Sequence, residues 1–122
     1  MAKGYSGGFR GNRLRDRERG EELRFEMEQE LRFKAESRRN RLLGEWLAHK
    51  FGMTSDETKA YATEVVNSDL DKPGVEDLVA KVMKDIEDKG AGITEEEVRK
   101  QIDRLYTVAL EQLENDFKTD SL

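Results

Sequence analysis

The stretch that decides the fold is residues 31–47, which read LRFKAESRRNRLLGEWL. On a helix of 3.6 residues per turn, its main apolar side chains fall within about 160° of one another. They are Leu31, Ala35, Leu42, Leu43, Trp46 and Leu47. A stripe of this width is typical of a helix with one buried face, so we expect all six side chains to be buried. No proline occurs between Arg13 and Lys50, which permits one long helix.

Upstream of this stretch the apolar positions change face. Leu23 and Met27 rotate away from the stripe, and Phe25 and Phe33 lie on other sides of the helix. Residues 16–31 therefore do not present one face to the same neighbours. Three arrangements remain open: a helix that projects from the body, a helix that forms only on a partner, or an arm folded back on the body.

Three further helices are predicted downstream. Thr54 with Glu57, and Thr94 with Glu97, have the spacing of a capping box, in which a hydroxyl and a carboxylate each accept a bond from the other residue's backbone N–H. Gly52 has the position of a left-handed helix stop. Between these signals, apolar residues repeat at helical spacing over 61–70, 75–86 and 98–117.

These signals predict an all-α fold. Short connections between four helices imply antiparallel or steeply angled neighbours, which is typical of a small four-helix bundle. We assign the bundle, with its long first helix, to residues 32–122 and call it the body. Residues 1–31 are the arm, with 1–15 flexible and 16–31 a potential helix. The arm is expected to be disordered when free or helical only on its partner.

Charge divides the chain in the same way. Residues 1–20 carry six bases and two acids, residues 21–50 are balanced, and residues 51–122 carry nine bases and eighteen acids. The net charge of −5 thus combines a segment at +4 with one at −9. Five of the ten glycines lie in the first twenty residues, where aliphatic side chains are scarce. Such a segment cannot offset the entropy of ordering its backbone, which predicts flexibility in the free chain.

Composition excludes several classes of function. There is no cysteine and His49 is the sole histidine, so thiolate and multi-histidine metal sites are excluded and only an all-carboxylate site remains possible. Because no spacing of the acidic residues calls for such a site, we expect no metal and no cofactor. No nucleophile–base–orienter set and no phosphate-cradling loop can be assembled, so we expect no enzyme activity. No segment has the roughly 20 apolar residues that cross a bilayer, and no secretory signal is evident. We expect a cytoplasmic protein without membrane insertion.

The run at 33–46, FKAESRRNRLLGEW, closely resembles the signature of the zeta subunit family, the small inhibitor proteins of the F-type ATP synthase in alphaproteobacteria. Similar stretches lie at 16–19, 61–66, 73–77 and 98–102, so that the resemblance covers about 16–115.

The resemblance implies a helical bundle with an N-terminal arm that becomes helical in a crevice between the catalytic subunits and the central stalk. There it blocks rotation in the hydrolytic direction. The implied partners are the alpha, beta and central-stalk subunits; we expect no nucleic acid and a monomer when free. The expected partner-binding residues are Arg13, Arg15, Asp16, Arg17, Glu18, Arg19, Leu23, Phe25 and Met27.

Two features depart from the family pattern. A longer leader rich in glycine and arginine precedes Asp16-Arg17-Glu18-Arg19, and Gly20 and Glu21 take the places of an alanine and an aromatic residue. Glycine costs about 1 kcal/mol of helix propensity relative to alanine. A zeta-like protein that binds the synthase with weak or no inhibition is therefore an alternative.

The arginine run 38–41 cannot form one patch, because consecutive helical residues point in different directions. Arg39 falls within the buried stripe, whereas Arg41 falls outside it. A buried guanidinium requires hydrogen-bonded partners. We therefore predict a structural role for Arg39, held by a carboxylate or by helix-terminal carbonyls of another helix, and equally structural roles for Leu42, Leu43 and Trp46.

Two further interpretations come from the leader. Gly7-Gly8-Phe9-Arg10-Gly11 and the following arginines suit an RNA-associated module with a Gly/Arg tail, although the −9 body opposes it electrostatically. The acid-free first fifteen residues also suit a short targeting remnant or an extension without a partner.

Overall fold

The computed structural model describes residues 8–68 and 74–121, with side chains described for 26–68 and 74–116. Four α-helices form: α1 (Gly8–Lys50), α2 (Ser55–Asn67), α3 (Glu76–Lys89) and α4 (Glu95–Ser121). Within those ranges the backbone contains no strand, and the predicted all-α fold with a long first helix is confirmed. Among the described residues, none of the helices combines the length and the apolar character needed to cross a membrane.

The chain divides into two compact units, Met1–Phe33 and Lys34–Leu122. In the first unit, α1 begins at Gly8 and continues through residues 8–15, which the composition predicts to be flexible in the free chain. The arginines of this stretch are good helix formers and no proline interrupts them, so helical backbone is sterically permitted there.

The core of the second unit lies where its four helices meet. α3 packs against both α2 and α4, and α1 contributes a face of side chains that are completely buried. Leu42 and Trp46 are partly buried and pack against this core. The buried apolar side chains are Ala35, Leu43, Leu47, Ala48, Tyr61, Ala62, Val65, Leu78, Val79, Val82, Ile86, Ile93, Val98, Ile102, Leu105 and Ala109.

Leu31 departs from the predicted stripe. Its side chain is 44% exposed, whereas Ala35, one turn further along α1, is fully buried. All of residues 26–34 are exposed. The prediction of a buried Leu31 was therefore wrong, because helical periodicity identifies an apolar face of the helix but not whether every residue on that face is buried.

The helix boundaries follow the predicted signals. Gly52 adopts a left-handed φ of 72°. The N–H groups of Gly52 and Met53 donate to the carbonyls of His49 and Ala48 at 3.1 and 3.0 Å, which is a Schellman motif at the end of α1. At the start of α2, Thr54 Oγ1 accepts from the Glu57 N–H at 3.2 Å and Glu57 Oε1 accepts from the Thr54 N–H at 2.8 Å. This confirms the predicted capping box.

α3 and α4 are joined by a tight connection. Gly90, with φ of 62°, ends α3, and the Ala91 N–H donates to the Ile86 carbonyl at 3.1 Å. At the start of α4, Thr94 Oγ1 accepts from the Glu97 N–H at 3.2 Å. The Thr94 hydroxyl also lies 3.4 Å from Glu97 Oε1. Local hydrogen bonds thus satisfy backbone groups at both ends of this connection.

Candidate partner-binding arm

The predicted partner-binding residues all lie on α1. Their backbone, from Arg13 to Met27, is helical. The Met27 side chain is 68% exposed. The other eight side chains lie outside the part of the chain whose side chains the structure describes; they are Arg13, Arg15, Asp16, Arg17, Glu18, Arg19, Leu23 and Phe25.

Large apolar side chains are exposed near the C-terminal end of the first unit, Met1–Phe33. Besides Met27, Leu31 is 44% exposed and Phe33 is 57% exposed. Neither Leu31 nor Phe33 is among the predicted partner-binding residues, and Leu31 fits the predicted buried stripe. Phe33 lies on another side of the helix from the predicted stripe, so its exposure agrees with its helical position.

Local interactions favour helix in this exposed stretch. Glu28 and Arg32, and likewise Glu30 and Lys34, are four residues apart with the acid nearer the N-terminus. This order favours attraction on a helix surface and agrees with the helix dipole. Each such pair contributes only about 0.2–0.5 kcal/mol, so the free helix depends on many small terms.

The arginine run at 38–41 contains a buried arginine and an exposed one, as their helical positions predict. Arg39 is 4% exposed, and its Nε donates to Asn40 Oδ1 at 3.0 Å. Its guanidinium carbon lies 5.9 Å from the ring centroid of Tyr106 on α4. Arg38 forms an ion pair with Asp116 of α4 at 2.8 Å, whereas Arg41 is exposed. The run therefore does not present one continuous basic patch.

The end of α1 carries the other residues singled out from the sequence. Leu43 is fully buried, while Leu42 and Trp46 flank the core. Lys50 Nζ lies 5.8 Å from the Trp46 ring centroid, a cation–π distance. His49 is exposed in the last turn of α1, where a positive charge would be favourable.

The family of the chain can be read from a match that spans both units. The family described as ATPase inhibitor subunit zeta matches residues 12–112. The chain belongs to the zeta family. A solution NMR structure is also similar, with 43% identity and a TM-score of 0.64, covering 70% of this chain and 98% of that chain. No curated protein matches the chain.

The zeta match includes every residue predicted to bind a partner. It begins at residue 12, before Arg13, and continues through the helices of the second unit to residue 112. The Gly/Arg-rich residues that precede position 12 lie outside the match. The family relationship therefore covers the charged run at 16–19 but not most of the leader.

A polar cluster joins α2 to α3 in this zeta family member. The Tyr61 hydroxyl donates to Asp85 Oδ2 at 2.7 Å, and Lys81 Nζ bridges Asp85, at 3.0 Å, and Glu64. Burial and the bond to Asp85 raise the pKa of Tyr61. Burial alone would lower the pKa of Lys81, but its bonds to Glu64 and Asp85 outweigh this and raise it. The cluster thus combines a neutral tyrosine hydroxyl with a charged lysine ammonium, and both groups bond to carboxylates within the cluster.

A second ionic link joins α3 to α4. The Arg99 guanidinium donates two parallel bonds to the Glu76 carboxylate, at 3.0 and 2.8 Å, and a third to Glu95 at 3.0 Å. The bond from Arg99 lowers the pKa of Glu76. No group of His, Cys, Asp and Glu within the described residues could hold a metal ion.

Proposed function

We propose that this protein inhibits ATP hydrolysis by the F-type ATP synthase by inserting its arm at the catalytic interface. The observation that carries the proposal is the zeta family match over 12–112, which includes residues 12–31 of the arm and most of the body. The arm enters as a helix between the alpha and beta subunits and the central stalk. It blocks rotation in the hydrolytic direction, while the body limits how far it enters.

The shape of α1 supports this mechanism. A helix from Gly8 to Phe33 is roughly 40 Å long. Its intrahelical bonds give an inserted segment a defined length and resistance to bending. A rigid element of this kind can obstruct a turning stalk, whereas a flexible chain would be displaced.

The charge pattern supports a specific docking site. Asp16-Arg17-Glu18-Arg19 alternates acids and bases, and Arg13 and Arg15 precede it. Guanidinium groups form two parallel bonds with carboxylates or phosphates, which confers orientation as well as attraction. We infer that this run contacts acidic groups of the crevice, and that Leu23, Phe25 and Met27 supply apolar contact. In this proposal the free protein is a cytoplasmic monomer that needs no nucleic acid or cofactor.

Inhibition assays test the proposal directly. Purified protein is added to solubilised synthase, and ATP hydrolysis is compared with that obtained with a variant lacking residues 1–32. A full-length variant carrying Arg17→Glu and Arg19→Glu tests the charge requirement without shortening the chain. The control is Ala80→Ser, at an exposed position of α3. We expect inhibition by the parent protein and by the control, and little inhibition by either arm variant.

A second candidate function is binding to the synthase with weak or no inhibition, and it is suggested by Gly20 and Glu21. They stand where family members carry an alanine and an aromatic residue, so the helix is less favoured and an apolar contact is missing. Binding of the parent protein to the synthase without inhibition would support this form. No binding by either the parent or the truncated protein would refute both forms.

A further inference from the structure

The methionines of this chain differ sharply in their access to solvent. Three of the four, Met27, Met53 and Met83, have described side chains. Met53 and Met83 are partly buried and pack against the core. Met27 on α1 is 68% exposed, the highest value among the exposed large apolar side chains of the described residues. A reagent dissolved in water therefore reaches the Met27 thioether more readily than the other two.

A thioether is the group that two-electron oxidants convert to a sulfoxide. With hydrogen peroxide, the sulfur lone pair attacks one oxygen, and a new S–O bond forms as the O–O bond breaks. The hydroxide that leaves takes the remaining proton and becomes water. Sulfur is oxidised by two electrons and the peroxide is reduced, so no further reactant is needed.

The charges around Met27 favour a neutral oxidant. Glu26 and Glu28 are its chain neighbours, Glu30 lies about one turn further along α1, and all three side chains are exposed. Carboxylates this close act within the Debye length of about 8 Å at physiological ionic strength, so they repel anionic reagents. Hydrogen peroxide carries no charge and is not repelled.

We propose that Met27 is a redox-sensitive site, at which hydrogen peroxide forms a sulfoxide that weakens binding of the synthase and relieves inhibition. The inference rests on the proposed function, in which Met27 supplies apolar contact to the partner. A sulfoxide is polar, so its burial in that contact requires the loss of bound water without an assured hydrogen bond in return. Oxidation of the free protein would thus act before binding.

The same modification should leave the folded body intact. Met27 is exposed and belongs to the first unit, whereas the core that stabilises the second unit contains neither its side chain nor a contact with it. Changes at exposed positions outside a core usually alter stability little. Thermal unfolding of the protein oxidised at Met27 should therefore match that of the parent.

Peroxide treatment with site-resolved mass spectrometry tests which thioether reacts. The full-length protein is treated with hydrogen peroxide for increasing times, alone and in complex with solubilised synthase, and each methionine-containing peptide is quantified. We expect Met27 to be oxidised several-fold faster than Met53 and Met83 in the free protein, and more slowly in the complex. Equal rates at all three positions, or no protection of Met27 in the complex, would overturn the assignment of the site.

Inhibition assays test the functional consequence. Peroxide is removed, and the half-inhibitory concentration of each treated protein is compared with that of its own untreated sample. We expect an increase of roughly tenfold for the parent, as for loss of an apolar anchor, and for the control Met83→Leu. Met27→Leu should show no increase. Methionine sulfoxide reductases A and B, which reduce the two sulfoxide epimers, should restore inhibition by the parent.

The outcomes separate this inference from the proposed function. If the untreated parent inhibits and oxidation at Met27 leaves inhibition unchanged, the proposed function stands and the redox switch is wrong. An equal loss of inhibition by treated Met27→Leu also overturns the switch. If the untreated parent binds without inhibiting, a tenfold loss of affinity on oxidation supports the switch and an unchanged affinity refutes it. If it neither binds nor inhibits, both proposals fail.

Discussion

Gly44 and Ala62 bring α1 and α2 into backbone contact. A Cβ atom built on Gly44 would lie 2.7 Å from the Cα of Ala62 and 3.3 Å from the side chain of Val65. The first distance is shorter than van der Waals contact, and the atom met is backbone rather than a flexible side-chain end. The two helices pack this closely only because position 44 has no side chain.

We expect Gly44→Ala to destabilise the protein by about 1–3 kcal/mol, as overpacking of a core does. This loss should exceed the gain of about 1 kcal/mol in helix propensity. Denaturant unfolding followed by circular dichroism measures the change as a shift of the midpoint at constant slope. Thr63→Ala, at an exposed position of α2, is the control and should change stability little. A Gly44→Ala variant as stable as the parent would contradict the close packing.

The buried guanidinium of Arg39 is predicted to be structural. Arg39→Lys keeps the charge but removes the Nε bond to Asn40 and the planar group near Tyr106. We expect a loss of about 1–3 kcal/mol in the free energy of unfolding. Arg41→Lys, at an exposed position, should lie within about 0.5 kcal/mol of the parent. Inhibition by folded Arg39→Lys should be unchanged; a loss of inhibition at normal stability would instead indicate a partner contact.

We expect the Tyr61–Asp85 bond to make the stability of the folded protein decrease at alkaline pH. Since the pKa of Tyr61 is raised in the folded state, its contribution to stability is present below the ordinary tyrosine pKa near 10 and is lost as the pH rises above it. The raised pKa of Lys81 acts in the same direction. Tyr61→Phe should cost about 1 kcal/mol near neutral pH through the lost hydrogen bond.

The Tyr61→Phe variant should also lose less stability than the parent as the pH rises. Unfolding curves recorded on both sides of pH 10 provide the measurement. Tyr106→Phe is a suitable comparison and should retain the alkaline loss of the parent. An identical pH dependence in the parent and in Tyr61→Phe would mean that the phenol does not remain protonated in the folded state.

At acidic pH, the stability of the protein should depend on the capping box of α2. The backbone N–H of Thr54, and then its side chain, lower the pKa of Glu57 below its ordinary value of 4.5. The stabilising contribution of this carboxylate is therefore present above that value and lost as the pH falls below it. Glu57→Gln should flatten the acid side of the stability profile measured by thermal unfolding. Glu111→Gln, at an exposed position, should leave that profile unchanged.

Much of the fold was predictable because its signals are local. The pairing of Thr54 with Glu57 and the left-handed stop at Gly52 depend on residues a few positions apart. Helical periodicity then identified the face that buries Leu43 and Leu47. The same geometry placed Arg39 inward and Arg41 outward.

What the sequence could not provide depends on contacts between distant positions. Tyr61 meets Asp85 24 residues away, and Arg99 meets Glu76 23 residues away. Nothing in the local pattern marks those pairs. Leu31 shows a related limit, because its place in the apolar periodicity does not decide whether its side chain is buried. The candidate site follows this division: the charge pattern marked residues 13–19, whereas the exposure of Leu31 and Phe33 required the structure.

Gly20 offers a test of whether the arm folds on its partner. It lies in the helical backbone of α1, where glycine is less favourable than alanine by about 1 kcal/mol. If the arm becomes helical only when bound, this cost reduces the affinity for the synthase. Gly20→Ala should then lower the half-inhibitory concentration by about fivefold, since about 1.4 kcal/mol corresponds to tenfold. Stability of the body should not change, and NMR order measurements across residues 1–32 should show the free arm slightly more helical. An unchanged inhibitory concentration would mean that residue 20 is not helical in the complex, or that the helix is already formed before binding, and the NMR measurement on the free protein distinguishes these two cases.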